Sequence, residues 1–280
     1  MANGAPAAVS GLDIELGEKE FRQLQRLFYE HVGLQLQPVK KPLICGRLAK
    51  RLSALQLSSY QDYYLHLISP AGETELEVAI DLITTHETYF FREPKHFDFL
   101  QQKILPEMAA RDEFRVWSAA SSTGEEAYTL AMLLDDGRPQ RSWEVLATDI
   151  SLQVLRSARR GLYVMARGER IPQRLLKRYC LKGRDLYEGR FLVERALRER
   201  VEFRQSNLIK AAPELGHFDL ILLRNVLIYF DVPTKLQVLR NVVDRLKPGG
   251  WLMVGHSEAL HDTALPLELV TSSIYRKVGG

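Results

Sequence analysis

Apolar residues recur at helical spacing up to about residue 90. Phe21, Leu24, Leu27 and Phe28 form one stripe, Ile44, Leu48, Leu52 and Leu55 a second, and Tyr60, Tyr64, Leu67 and Ile68 a third. Pro42 stands where a first helical turn tolerates it. Ser69-Pro70-Ala71-Gly72 breaks the pattern, and a further helix is expected from Glu73 to about Thr84. No strand-like alternation interrupts this stretch, which predicts a small all-helical module.

From about Phe114 the pattern changes to short apolar runs separated by amphipathic helices. Phe114 to Ala119, Trp143 to Ile150, Val201 to Gln205 and Phe218 to Leu223 read as strands, followed by Trp251 to Gly255 and Ile274 to Val278. Helices are expected from Glu125 to about Leu134, from Ser151, which can cap it, to about Gly161, and from Val232 to Leu246. Lys247-Pro248-Gly249-Gly250 is a stop and turn signal. Strands alternating with helices predict a mostly parallel sheet covered on both faces, and the last two strands a closing antiparallel hairpin. Between a helical segment and the Val201 strand, 184–200 (RDLYEGRFLVERALRER) fits neither texture, and with Glu188-Gly189 as its turn it reads as an inserted antiparallel β subdomain.

Composition narrows the class without naming it. A chain of 280 residues with 46% hydrophobic and 26% charged residues is an ordinary globular one. Its formal charge of +3 is too small to imply nucleic acid. No apolar run approaches the roughly 18 to 20 residues of a membrane helix. MANGAPAAVSG lacks the basic start and apolar core of a signal peptide and is read as a flexible tail. Cys45 and Cys180, far apart in unlike settings, are expected as reduced thiols. The seven histidines show no paired metal spacing, so no metal is expected.

The loop Ala119-Ala120-Ser121-Ser122-Thr123-Gly124 lies between a first strand and a helix, where doubly wound folds bind nucleotide cofactors. Three glycines would let a backbone hug a pyrophosphate; here there is one. S-adenosylmethionine has no phosphate, and its aminocarboxylate needs a helix N-terminus and a nearby acid. Glu125 or Glu126 supplies that acid, unless both merely favour the helix dipole. Asp149 ends the second strand, where an acid can bind two ribose hydroxyls or simply cap the next helix. Asn207-Leu208 and Arg224-Asn225 follow the third and fourth strands, on the side where open sheets hold ligands.

The blocks TTHETYFFRE (84–93), VWSAASSTGEEAYTLAM (116–132), LATDIS (146–151), RNVLIYFD (224–231) and LKPGGWLMVGHSE (246–258) occur in an order and at spacings that resemble the CheR-type chemotaxis receptor methyltransferases. The resemblance implies a Rossmann-like class I methyltransferase sheet with a small all-helical N-terminal domain and an inserted antiparallel β subdomain. It implies a tail at 1–11, a helical domain and linker at 12–90, and a methyltransferase domain at 91–280 with a β-hairpin insertion near 180–200. The implied reaction moves the methyl group of S-adenosylmethionine to glutamates on receptor signalling helices, leaving S-adenosylhomocysteine. Cofactor contacts would come from His86, Thr88, Arg92, Ala119, Glu126, Asp149, Asn207, Leu208, Arg224 and Asn225. Arg92 and Tyr229 would serve methyl transfer. The implied partner is the cytoplasmic domain of a methyl-accepting chemotaxis protein, with regulators on the N-terminal domain, for a cytoplasmic monomer that neither binds nucleic acid nor enters the membrane. His86 stands where relatives often carry Asn, and GRDLYEG has fewer glycines than the hairpin that docks a receptor tail in relatives.

The chemistry agrees with that implication. A glutamate, with a reference pKa near 4.3, is already nucleophilic at neutral pH and needs no general base. Arg92 can orient it and Tyr229 can fix the methyl group or the accepting oxygen, or the two can be a surface ion pair and a packed aromatic. Lys40, Arg47, Lys50 and Arg51 fall within about 100° of a helical wheel, and no acid occurs between Val39 and Leu57. They are a solvated face or a docking surface for an acidic helix. Two other readings stay open: methylation of another protein or small molecule, and a regulatory module that only binds the cofactor.

Overall fold

The computed structural model describes residues 14–139, 141–260 and 264–279, so the expected tail at 1–11 lies outside the described residues. The chain divides into two compact units, one ending at Thr84 and the other beginning at Thr85.

The first unit is helical throughout: α1 (Glu18–Val32), α2 (Lys41–Ala54), α3 (Tyr60–Leu67) and α4 (Glu73–Ile83). The first two stripes face inward, with Phe21, Leu24, Phe28, Leu48 and Leu52 almost wholly buried. In the third, Tyr60 and Leu67 are buried but Ile68 is 50% exposed, and Tyr63 rather than Tyr64 fills the core. Two polar interactions join these helices. Arg47 Nη1 lies 3.1–3.2 Å from the carbonyl oxygens of Leu82, Ile83 and Thr84, satisfying acceptors that the end of α4 leaves open. Arg51 donates through Nε and Nη2 to the buried Glu75 carboxylate at 2.9 and 2.7 Å, and Tyr63 Oη donates to the same group at 2.8 Å. Half of the expected docking set thus has structural work on α2. Lys40, in the turn before α2, and Lys50 are exposed.

The second unit opens with α5 (Pro94–Phe99), which runs through a π-helical turn (Leu100–Ile104) into α6 (Leu105–Glu107). Then come β1 (Glu113–Ala119), α7 (Glu125–Gly137), β2 (Ser142–Asp149) and α8 (Leu152–Arg160), followed by β3 (Leu162–Val164), α9 (Gln173–Tyr179), β4 (Cys180–Lys182), β5 (Arg190–Val193) and α10 (Arg195–Arg198). The chain ends with β6 (Val201–Gln205), β7 (Phe218–Leu223), α11 (Val232–Asp244), β8 (Leu246–Val254), β9 (Leu267–Thr271) and β10 (Ile274–Lys277). The main sheet has the order β6-β2-β1-β7-β8-β10-β9. Its first five strands are parallel; β10 runs antiparallel to both neighbours. Strand residues alternate between two cores: Leu220 and Leu222 join one with α7 and the insertion, Ile221 and Leu223 the other with α11. Ser151 caps α8 as expected, its side chain accepting from Val154 N.

Three local expectations are corrected. The helix placed over Val232 to Leu246 stops at Asp244, and Lys247-Pro248-Gly249-Gly250 is part of β8 rather than a turn. Pairing with β7 already starts at Phe218↔Leu246 and shifts register before Leu220, so the extra residues are absorbed as a bulge, with Gly249 at φ +70. The last strand pairs antiparallel to β8 as foreseen, but it also forms a hairpin with β9, a mostly exposed edge strand without alternation. The insertion is more than a hairpin near 180–200. It is a three-stranded sheet, β3-β5-β4, in which β3 precedes that range by almost twenty positions. Residues 183–189 join β4 to β5, in place of a turn at Glu188-Gly189 alone, and the charged end of the segment is α10. A three-residue strand is too short to show alternation. Cys45 and Cys180 are both free thiols.

Replacing Arg51 with Ala would leave the Glu75 carboxylate buried with only a phenol as donor. We expect a loss of about 1–3 kcal/mol in the stability of the first unit, read from urea unfolding of the full chain. Unchanged unfolding would show that the pair contributes nothing.

Candidate functional site

Because β6, β2, β1, β7 and β8 are parallel and adjacent, their carboxyl ends form one rim. Ala119, Asp149, Asn207, Leu208, Arg224 and Asn225 all stand at or just past those ends. The loop after β1 turns through left-handed Ala120 (φ 66), Ser122 (φ 50) and Gly124 (φ +93). A methyl on Gly124 would lie 2.9 Å from Ala158 Cβ and 3.1 Å from Tyr163 Oη, so the one glycine of the loop is set by packing. Asp149 is buried, and its carboxylate accepts from Ser122 N at 2.9 Å and Ser151 N at 3.0 Å, tying the loop to the start of α8.

The two adjacent acids of α7 separate completely. Glu125 is fully buried; it accepts from Thr123 Oγ1 at 2.6 Å and from Arg167 Nη1 at 2.8 Å. Burial outweighs these partners and raises its pKa. Arg167, from the insertion, also donates to the carbonyl of Thr88, and Tyr163 Oη donates to Thr123 O. Glu126 instead faces the rim, accepting from Ser118 Oγ at 2.7 Å and Arg224 Nη1 at 2.8 Å.

Arg224 is the centre of the cluster, with 2% of its side chain exposed. It lies 3.2 Å from Glu93, is paired with Glu126, and donates to the carbonyl of Arg92 at 2.5 Å. Arg92 is flanked by two left-handed residues, Phe91 (φ 56) and Glu93 (φ 57), a strained backbone that points to a functional constraint. Its Nη1 donates to Glu87 O. Asn225 is left-handed as well (φ 57), and its Nδ2 donates to Glu93 at 3.2 Å. Tyr229 closes a 3-10 turn over Leu227–Tyr229 and is half-buried. Asn207 Oδ1 accepts from Ile209 N, and Leu208 O from Asn241 Nδ2. His86 is half-buried.

Residues that sequence reasoning passed over complete the site: Glu93, His96, Arg167 and Glu258. Glu93, His96 and His256 each bring one ligand atom within 4.8 Å of the others, a convergence their spacing did not announce. Such a donor set could hold a divalent ion. The Arg224 guanidinium beside Glu93 already supplies the cation there, and lowers the Glu93 pKa against the effect of burial. His96 is 1% exposed, with Nε2 2.8 Å from Ser273 Oγ. Burial, then Arg224, push its pKa down to about 3.

Three buried polar atoms on this rim have no hydrogen-bond partner: Ser121 Oγ, Ser122 Oγ and Arg224 Nε. Two hydroxyls, a guanidinium donor and the acids Asp149 and Glu126 suit a ligand that carries hydroxyls, a carboxylate and an ammonium group. The family description "CheR methyltransferase, SAM binding domain" matches residues 86–276, and the CheR all-alpha domain matches 19–84. The chain belongs to the CheR methyltransferase family. It is 36% identical to chemotaxis protein methyltransferase 2 of Pseudomonas aeruginosa, over 98% of this chain and 99% of that one. It is 38% identical to the chemotaxis protein methyltransferase of Salmonella typhimurium (94% and 91% covered) and 39% identical to that of Escherichia coli (88% and 86%). The chain is therefore a chemotaxis methyltransferase whose cofactor is S-adenosylmethionine. No described helix is long and apolar enough to cross a membrane.

The neutral burial of His96 sets a pH dependence. Its folded pKa lies below the ordinary 6.5, so its contribution is present above pH 6.5 and lost as pH falls from there toward 3. Below pH 6.5 the wild-type stability curve should be steeper than that of His96→Gln by up to about 1.4 kcal/mol per pH unit. Parallel curves would mean that His96 takes up its proton in the folded state.

Proposed function

We propose that this methyltransferase esterifies glutamate side chains on the cytoplasmic helices of chemoreceptors. The observation that carries the reading is the Glu93–Arg224–Glu126 cluster, which ties Arg92 of the linker block to the strand-end rim. Asp149 would hold the ribose hydroxyls of S-adenosylmethionine, helped by Ser121 and Ser122. Asp149 Oδ2 accepts from Ser122 N and Oδ1 from Ser151 N, which fixes the carboxylate at the rim between the loop and α8. Glu126 and Arg224 would take the ammonium and carboxylate of the amino-acid tail. His86, Thr88, Ala119, Asn207, Leu208 and Asn225 would line the remainder.

The cofactor supplies an electrophilic methyl group on a sulfonium. An incoming glutamate is ionised at neutral pH, so the protein need only orient it and exclude water. Arg92 is the cation for that carboxylate. A half-buried guanidinium orients an anion without the tight hold that would favour ground state over transition state. Tyr229 presents a hydroxyl from the segment that carries Arg224 and Asn225. On the first unit, Lys40 and Lys50 offer positive charge to an acidic receptor helix, while Arg47 and Arg51 shape the face from within. Such charge speeds encounter and weakens with salt.

Purified protein with radiolabelled cofactor and receptor cytoplasmic fragments should give label that alkali releases as methanol. Alkali-stable label would point to an amine acceptor instead. Asp149→Ala should weaken binding of S-adenosylhomocysteine by about 10- to 100-fold in calorimetry, the range for losing charge-assisted hydrogen bonds. Unchanged affinity would remove Asp149 from the site.

A further inference from the structure

The strands β7 and β8 pair up to Leu223↔Val254 and then part. Into that split goes 224–231, the segment with Arg224, Asn225 and Tyr229. It joins no strand ladder, and its one 3-10 turn, Leu227–Tyr229, leaves the leading amides open. The partner is the carboxylate of Glu258, four residues past the end of β8 and only 6% exposed. Glu258 Oε2 accepts from Asn225 N at 2.6 Å and from Gly255 N at 2.8 Å. Oε1 accepts from Ile228 N at 3.2 Å; burial raises the Glu258 pKa, and the backbone amides of Asn225, Gly255, Ile228 and Leu227 act against that rise. Its own N–H donates to Gly255 O at 2.8 Å, so a tight turn aims the side chain at the split.

Two further features show that the arrangement is built around this contact. Asn225 is left-handed without being glycine, a conformation that persists only where the surroundings impose it. Its N–H is held by Glu258 and its side chain by Glu93. A methyl on Gly255 would lie 2.6 Å from Glu258 Oε2 and 3.0 Å from Asn225 N, so the backbone there must be bare for the carboxylate to reach.

We propose that Glu258 is a positioning residue for methyl transfer, its buried carboxylate holding the segment 224–229 in the shape that places Arg224, Asn225 and Tyr229. This rests on the reading of the site given above. Glu258 touches neither acceptor nor cofactor in this role. It substitutes for the missing ladder by giving several amides one common anion, which is stronger than neutral acceptors would be. A shift of about 1 Å in such a segment can cost about 100-fold in rate.

The test uses Glu258→Gln, which turns one accepting oxygen into an NH2 group facing backbone N–H, together with Gly255→Ala and the double variant. Binding sites are counted by titration with S-adenosylhomocysteine, and turnover on receptor fragments is expressed per site. Glu258→Gln should keep about one site per chain and lose about 10- to 100-fold in turnover. Gly255→Ala should show a similar loss, and the double variant should be no worse than the weaker single one. Turnover per site within about twofold of wild type, or losses that multiply, would overturn the positioning role. If Glu258→Gln binds no product, Gly255→Ala decides by the same threshold. If wild-type protein puts no alkali-labile methyl on receptor fragments, the glutamate reading fails and this proposal is judged by amide resonances. Shifts confined to 224–229 and 255–258 in both variants would uphold it, and unmoved resonances of Asn225, Leu227 and Ile228 would sink it.

Discussion

The site depends on one buried cation. A guanidinium cannot lose its proton in a protein, so burying Arg224 is tolerable only if acids and carbonyls surround it. Glu93, Glu126 and the carbonyl of Arg92 do so. These three partners come from the linker and from the start of α7, whereas Arg224 itself directly follows β7. Its charge therefore joins segments that no strand ladder connects. Removing either acid would leave a cation partly unpaired, and removing Arg224 would leave two carboxylates facing each other across the rim. The same cation makes the Glu93–His96–His256 cluster intelligible without a metal, because the charge that would draw an ion is already balanced.

Backbone strain is concentrated around this cation. Phe91, Glu93, Ala120, Ser122 and Asn225 are all non-glycine residues in the left-handed region, and all belong to the linker, the loop after β1 or the end of β7. Each is held by a specific partner or a close neighbour that is: Phe91 N by Thr129 Oγ1, Ser122 N by Asp149, and Asn225 N by Glu258. Strain of this kind persists where surrounding hydrogen bonds over-determine the backbone. Hydrogen bonds that fix the rim's backbone in this way lower the ordering cost of binding. The insertion contributes to the same end, since Arg167 and Tyr163 reach from it to Glu125, Thr88 and Thr123.

On the first unit, the helical wheel misjudged what basic residues are for. Four cations on one arc look equivalent in sequence. Arg47 and Arg51 have planar forks that reach back to α4, one to its terminal carbonyls and one to buried Glu75. Of the four, Lys40 and Lys50 are exposed, whereas Arg47 and Arg51 are partly buried against α4. The exposed apolar Val39 and Leu43 share that stretch of chain.

What the sequence determined by itself was local. Periodicity is written into neighbouring residues, so the helices of the first unit, the strands at 201–205 and 218–223, the cap at Ser151 and the polar strand ends were all legible. The ordered blocks carried the family and its cofactor. Tertiary structure decided which polar group meets which. Glu125 and Glu126 are adjacent, yet the roughly 100° between successive helical positions sends one into the core and the other to the rim. Arg224 finds the Arg92 carbonyl 132 positions away, and Glu258 finds Asn225 across 33. Such pairings follow from strand order and burial. A buried charge takes the partner that topology brings within reach, and no local pattern in the chain records that choice.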